Sequence, residues 1–424
     1  MLNIHTFTQR IALIGLCALA SVGQAYAADA AAPATVLVAP SADPTQRIRI
    51  GVNCPFTGGS ADMGVSMRAA LRLITREING VGGILGRPIE LVEMDDQANP
   101  EVGKKVAEEL VRSNVLLTIG YCNSGVAAAS IDVYQNAKVP LIIPVATGTM
   151  LTKKFAAGPG PNYIFRTAVP DVQQVGFMVD EILKRGLNKV AILADNSGYG
   201  EGGRKDVEAE LARRDLKPVA VERFDVGVKD LKEALQRARA AGANVIFAYT
   251  VGPENAVISK SRAELKWNVP HVGPWTVGFG NHLAAAGPAA EGAMMAETFI
   301  QEAPHNADRK TFIRNVSKEI GKPLIPCAMC AAQAYDAMQI AMRVIAQARA
   351  HSRAVTPESI RNELEALERN ITGVVTSYEQ PFSSKDHDAI SRNMLVLGVV
   401  RNGIVQYANT GDEQRAMILR RKEK

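Results

Sequence analysis

The 424-residue chain carries 48 Lys and Arg against 43 Asp and Glu, a formal net charge of +5. The two signs are interspersed and no basic patch carries interleaved aromatics, which excludes nucleic acid as a partner. No run approaches the roughly 20 apolar residues of a spanning helix, and the length is enough for two domains.

Met1–Ala27 reads as a secretory signal. Arg10 is its positive n-region, Ile11–Val22 its apolar h-region, and Ala25-Tyr26-Ala27 an A-x-A cleavage site. Cys17 follows the bulky Leu16, which argues against a lipoprotein anchor and for a cysteine discarded with the signal. Residues 28–47 are small, Ala- and Pro-rich and aperiodic, and are expected to form a flexible leader.

Ile48–Val52 is a short apolar strand, followed by a turn with Pro55 and Gly58-Gly59. Next comes a helix in which Met67, Leu71, Ile74 and Ile78 recur at helical spacing. Gly82-Gly83 closes that helix before a second strand, Ile89–Met94. In such a βαβ unit the chemistry lies where the turn meets the helix N-terminus. This turn has no Lys after its glycines and no G-x-G-x-x-G, so a small polar or anionic ligand suits it better than a nucleotide.

The alternation continues. Further strands are expected at Val115–Ile119, Leu141–Ile143, Lys189–Leu193, Val219–Phe224, Val245–Ala248 and His271–Gly273. Amphipathic helices are expected at Glu101–Arg112, Gly125–Gln135, Val172–Lys184, Gly203–Arg213 and Asp230–Ala240. The order strand-helix-strand-helix-strand-helix-strand occurs once over Ile48–Ile143 and again over Lys189–Gly273, with Tyr163–Asp171 read as a linker. The C-terminal third adds helices at Ala331–Ala350 and Pro357–Leu367, a strand at Met394–Val400 and a hairpin turn at Arg401-Asn402-Gly403. The fold class is therefore α/β, with two doubly wound parallel-sheet lobes flanking a cleft lined by strand C-termini.

Polar chemistry gathers at those strand ends. Thr57-Gly58-Gly59-Ser60 follows the first strand, Tyr121-Cys122-Asn123-Ser124-Gly125 the third, and Pro144–Thr149 the fourth. Ser124 opens a helix, where a hydroxyl and backbone N–H groups can hold a carboxylate, and Thr147 adds a second hydroxyl. Alone, Ser124 would be a plain N-cap; several donors on successive strand ends favour a site. In the second half Tyr199, between two glycines, is placed to cover a ligand or to sit in a surface turn. Trp275 ends another strand, where core packing competes with a ligand role at even weight.

After export four cysteines remain, Cys54, Cys122, Cys327 and Cys330, and three pairings are open. Cys327-Ala-Met-Cys330 lacks the second C-x-x-C or His pair of a zinc site, so a local structural disulfide is favoured over a redox motif.

The pieces IGVNCPFTGGSADMG, INGVGGILGRPIELVEMDDQANPE, IGYCNSG, PLIIPVAT, FRTAVPD, ADNSGYGEGG and PAAEGAMM together resemble one family in content and order. The chain is similar over nearly its whole mature length to type I periplasmic substrate-binding proteins of the branched-chain amino-acid (leucine/isoleucine/valine-binding) ABC transporter group. The resemblance implies two lobes joined by three crossovers, near Pro170, Thr298 and Asp388, closing on a ligand like a hinged clamp. Lobe 1 would span 48–170 and 299–388, and lobe 2 would span 171–298 and 389–424. It implies a monomeric periplasmic protein with no cofactor or metal, working with a permease and ATPase complex in the inner membrane.

By position, Ser124, with its neighbour Asn123, and Ala146 and Thr147 match the places that hold an α-carboxylate, partly through backbone N–H. Tyr199 matches the second-lobe aromatic that closes over the ligand. Elsewhere the pattern changes. Trp275 stands where the family's ammonium-binding carboxylate lies, Val251 where an assisting tyrosine lies, and Met63 where relatives place another tyrosine. A desolvated ammonium without a partner is costly, whereas an indole can stack on an aromatic ligand. The expected ligand is thus a carboxylate without an essential α-ammonium, such as an aromatic or short-chain organic acid. A rearranged ammonium site is the alternative, with Asp195 and Glu254 as nearby, more often solvent-facing, substitutes. In a 2-1-3-4-5 sheet the first and third strands are neighbours, which pairs Cys54 with Cys122 and leaves Cys327 with Cys330. Relatives pair differently, their first cysteine falling at Ala98.

An enzyme is the first rival. The mature histidines, His271, His282, His305, His351 and His387, fall in no triad or metal spacing, and no G-x-S-x-G or H-E-x-x-H is present. His271, at the start of a strand, reads as structural. A ligand-sensing periplasmic receptor is the second rival: a receptor subunit usually carries a membrane span or a fused output domain, and none is visible in the sequence, while a free periplasmic partner of a sensor kinase stays open.

Overall fold

A computed structural model describes residues 47–417 together with Lys422 and Glu423. The expected signal segment, and the leader up to residue 46, lie outside the described residues.

In chain order the elements begin β1 (Ile48–Cys54), α1 (Ala61–Gly80), β2 (Ile89–Asp95), α2 (Pro100–Arg112), β3 (Leu117–Gly120), α3 (Ser124–Ala137), β4 (Leu141–Ile143) and β5 (Ile164–Arg166). They continue α4 (Asp171–Lys184), β6 (Val190–Asp195), α5 (Gly198–Ala212), β7 (Ala220–Phe224), α6 (Lys232–Ala240), β8 (Val245–Tyr249), α7 (Gly252–Glu264) and β9 (His271–Gly273). A 3-10 turn, Trp275–Gly278, leads to α8 (Gly280–Ala286) and β10 (Met294–Glu297). The rest comprises α9 (Ala307–Ile320), α10 (Ala328–Ala350), α11 (Pro357–Glu365), β11 (Ile371–Thr372), β12 (Ser377–Tyr378), β13 (Val396–Arg401), β14 (Ile404–Tyr407) and α12 (Thr410–Met417).

The first sheet is all parallel in the order β2-β1-β3-β4-β5, the 2-1-3-4-5 arrangement. The second, β14-β13-β10-β9-β8-β6-β7, repeats it as β7-β6-β8-β9-β10 and adds the antiparallel hairpin β13–β14. Both sheets are covered on two faces. That is why the strands read as continuous apolar runs: Ile50, Val52, Leu117, Ile119, Ile192, Leu193, Ile246 and Phe247 have no measurable exposure. Each such side chain contributes about 1.5–3 kcal/mol over its exposed state.

Two expectations need correction. The stretch Tyr163–Asp171, read as a linker, contains β5, paired with β4 through Leu141↔Ile164. The two apolar residues of β5, Ile164 and Phe165, run straight into the charged Arg166, so no apolar run marks the strand. The C-terminal third holds a further helix, α9, which packs with α10 against α1 and so against the first sheet. Disulfides join Cys54 to Cys122 and Cys327 to Cys330, each with Cα atoms 5.3 Å apart.

Candidate functional site

The C-terminal ends of the two sheets meet. Helix α3 follows β3 of the first sheet, and α5 follows β6 of the second. Their first turns touch at Gly125 and Gly198. Across the same junction Thr149 Oγ1 donates to Asp206 Oδ2 at 2.7 Å, and Gly59 faces Pro253 and Asn281.

On the first-sheet side, the cap position of α3 is Asn123, and Ser124 is the first helical residue. Ser124 is therefore no plain N-cap: its buried Oγ accepts from the Gly148 N–H at 3.0 Å, tying the β3 and β4 loops together. Asn123 Nδ2 donates to Ser60 Oγ at 3.2 Å. Ala146 and Thr147 are buried beside Ser124, but the Ala146 N–H already donates to the Tyr121 carbonyl. Met63 is buried in the first turn of α1.

From the second sheet, Tyr199 in the first turn of α5 is 6% exposed, so it is not a surface-turn aromatic. Its ring packs on Tyr249 at 4.9 Å between centroids, and its hydroxyl lies between Thr276 Oγ1 and the Trp275 side chain. Trp275 is 3% exposed, packs near Phe279, and its backbone N–H donates to Gln174 Oε1 at 3.2 Å. Val251 is the cap position of α7 and packs, half-buried, against the apolar cluster that includes Tyr199, Tyr249 and Trp275.

Of the two proposed replacements for the lost carboxylate, Asp195 is occupied elsewhere and Glu254 is half engaged. Asp195 is fully buried, accepting from the Ser197 N–H and Oγ and from Thr250 Oγ1. Glu254 is also buried; its Oε1 accepts from the Gly227 N–H, while its Oε2 has no hydrogen-bond partner among the described residues. Neither faces solvent.

Asp171 is the residue that sequence reasoning missed. It opens α4 directly after Pro170, is 1% exposed, and its Oδ1 has no hydrogen-bond partner among the described residues. Burial pushes its carboxyl up to about 7, against the pull of neighbouring Thr147 and Tyr249. Tyr249 OH, likewise buried, also lacks a partner among the described residues. The signal lay in the quoted FRTAVPD segment, where an acid in a first helical turn reads as ordinary helix chemistry.

Beneath the Trp275 turn, Ser259 Oγ bridges His271 Nδ1 (3.0 Å) and His282 Nε2 (2.9 Å), and His282 Nδ1 bonds the Val277 carbonyl. Burial drives His271 well below its usual range and His282 down to about 4, so the pair is neutral scaffolding. A cavity of about 150 Å³ lies near the chain crossings, lined by Thr149, Lys153, Pro170, Asp386, Asp388 and Lys422. Ser124, Thr147, Tyr199 and Trp275 do not line it.

Two doubly wound sheets whose C-terminal edges close on a shared junction of hydroxyls, aromatics and buried carboxyls define a small-molecule binding protein. The sequence model of the family described as "Periplasmic binding protein" matches residues 47–403, and the chain belongs to that family. It is 31% identical over 271 residues to "Leu/Ile/Val-binding protein homolog 2" of Brucella abortus, covering 63% of this chain and 70% of that one. Its fold matches a branched-chain amino-acid transporter substrate-binding protein of Streptococcus pneumoniae in complex with isoleucine, with TM-score 0.72 and 24% identity. That match covers 85% of this chain and 98% of the other. It also matches an ABC-transporter solute-binding protein of R. palustris in complex with benzoate, with TM-score 0.74 and 21% identity, over 86% and 96% of the two chains. Members of this family are substrate-binding proteins, not enzymes, and the family places the chain in the periplasm.

Proposed function

We propose that the protein captures a small aromatic carboxylate between two lobes, 48–170 with 299–388 and 171–298 with 389–424, and presents it to a permease and ATPase complex. The reading rests on one observation above the rest: Trp275 and Tyr199 are buried together on the second-sheet side, opposite Ser124 and Thr147 on the first. The ligand's carboxylate would take donors at the start of α3 and from Thr147, in place of the Ser124–Gly148 bond. Its ring would stack on the indole. The benzoate complex of a protein with the same fold supports this ligand class.

A second reading is favoured by Asp171. A buried carboxyl with an unpartnered oxygen beside Thr147 could receive an α-ammonium, making the ligand an amino acid held by a relocated acid. This agrees with the isoleucine-bound neighbour. Calorimetric titration with benzoate, a 2-keto acid and leucine separates the two. Micromolar or tighter benzoate with no leucine signal is the expected result, and tight leucine binding would overturn the aromatic-acid reading.

A further inference from the structure

We infer that Gly198 is the residue that permits closure, because its missing side chain is what lets the first turns of α5 and α3 come into backbone contact. The inference rests on the two-lobed reading but not on the identity of the ligand. A Cβ built at Gly198 would stand 2.8 Å from Gly125 Cα and 3.3 Å from Gly125 N. Both are backbone atoms at the start of a helix, and neither can rotate away as a side-chain tip would. The converse substitution is mild: a Cβ at Gly125 would meet Gly198 N at 3.4 Å and Cα at 3.5 Å, ordinary van der Waals contact.

The glycine is not required by its own backbone. Gly198 is the first residue of α5, Ser197 caps the helix by accepting from the Gly200 N–H, and no positive φ occurs at residue 198. Alanine there suits the helix better than glycine does. What forbids it is the approach of α3, which belongs to the other sheet, so the constraint exists only when the two halves meet. Opening the clamp removes the clash entirely. Alanine at 198 therefore leaves each half intact and raises the energy of the closed form alone.

The neighbouring contacts fit this role. Thr149 and Asp206 bond across the same junction, and Gly59 faces Pro253 with 3.9 Å to spare for a Cβ. Of these approaches, Gly198 to Gly125 is the one with no slack.

The test uses the full mature chain and no ligand. Thr149→Cys with Asp206→Cys places two thiols where the closed form holds a 2.7 Å contact, and the four native cysteines are already paired. Oxidative cross-linking then reports how often the clamp closes. Adding Gly198→Ala is expected to slow cross-linking about tenfold or more, while Gly125→Ala slows it less than about twofold. Gly125→Val, which extends a branch toward Gly198, repeats the block from the other side should the first variant fold poorly. The melting midpoint of the unlinked protein is expected to stay level or rise with Gly198→Ala. Equal cross-linking in the Gly198→Ala and unaltered backgrounds would overturn the inference, as would a cysteine pair that never links. Failure of every acid in the titration would instead count against the proposed ligand and leave this result standing.

Discussion

Arg166, with no exposure, donates from Nε to Asp388 Oδ1 at 2.7 Å and from Nη1 to the carbonyls of Thr147 and Gly148, each at 2.8 Å. One guanidinium thus ties the end of β5, the chain returning near Asp388 and the loop that carries a candidate ligand donor. Thr152 Oγ1 completes the fork by donating to the same Asp388 oxygen. Only a planar group with several donors at fixed angles meets all these acceptors at once, so Lys cannot replace it.

Removing Asp388 leaves a buried guanidinium without its counter-charge. Asp388→Ala is expected to cost about 3–5 kcal/mol, read as a lower urea midpoint, and replacing both Arg166 and Asp388 with apolar residues should recover much of it. Additive losses in that double-mutant cycle would show that the pair is not coupled.

The two disulfides should contribute unequally. Cys54–Cys122 closes a separation of 68 residues, for which the chain-entropy estimate is about 4 kcal/mol, whereas Cys327–Cys330 closes three. Replacing Cys54 and Cys122 with Ser is expected to lower the melting midpoint by several degrees more than the same change at Cys327 and Cys330. Comparable losses would point to packing rather than loop closure as the source.

The fold was legible because a doubly wound sheet writes itself as apolar runs between amphipathic helices, and β1, β4 and β9 begin where the runs begin. Strand β5 was not, since its two apolar residues run straight into Arg166 and the strand is defined by pairing with β4. The site divided the same way. Ser124, Thr147 and Tyr199 stand at strand ends with turn chemistry around them, so position alone marked them. Asp171 looked like any acid in a first turn, and only burial beside Thr147 and Tyr249 distinguishes it. Asp195 showed the reverse error, an acid beside the site that is used up by Ser197 and Thr250.

The buried histidines predict an acid-sensitive scaffold under Trp275. Folded His282 is held down to about 4 against 6.5 in the unfolded chain, so below 6.5 the unfolded chain binds a proton that the folded one refuses. Its contribution is intact above pH 6.5 and falls by about 3 kcal/mol by pH 4. Buried carboxyls raised to about 7, such as Asp96 and Asp336, act in the opposite sense, so the isolating measurement is a difference. The stability gap between the unaltered protein and His282→Asn should shrink as pH falls from 6.5 to 4. A gap constant with pH would remove His282 from the account.

Asp171 gives the two ligand readings opposite pH signatures. With its carboxyl raised to about 7 in the absence of ligand, the group is mostly protonated below that pH and mostly ionised above it. An α-ammonium prefers the ionised form, so amino-acid affinity should climb by up to about tenfold per pH unit from 5 to 7 and then level off. An aromatic acid places a second negative charge in the site and prefers the protonated form, so its affinity should be flat below 7 and fall above it. The proton balance differs too: an amino acid expels the Asp171 proton near pH 7, and an aromatic acid draws one in. Titrations in two buffers of different ionisation enthalpy read that sign directly. Asp171→Asn should abolish the slope in either case, weakening an amino acid strongly and an aromatic acid little. A slope that survives in that variant would place the titrating group elsewhere, with Asp206, also raised by burial and bonded to Thr149 across the junction, the next residue to change.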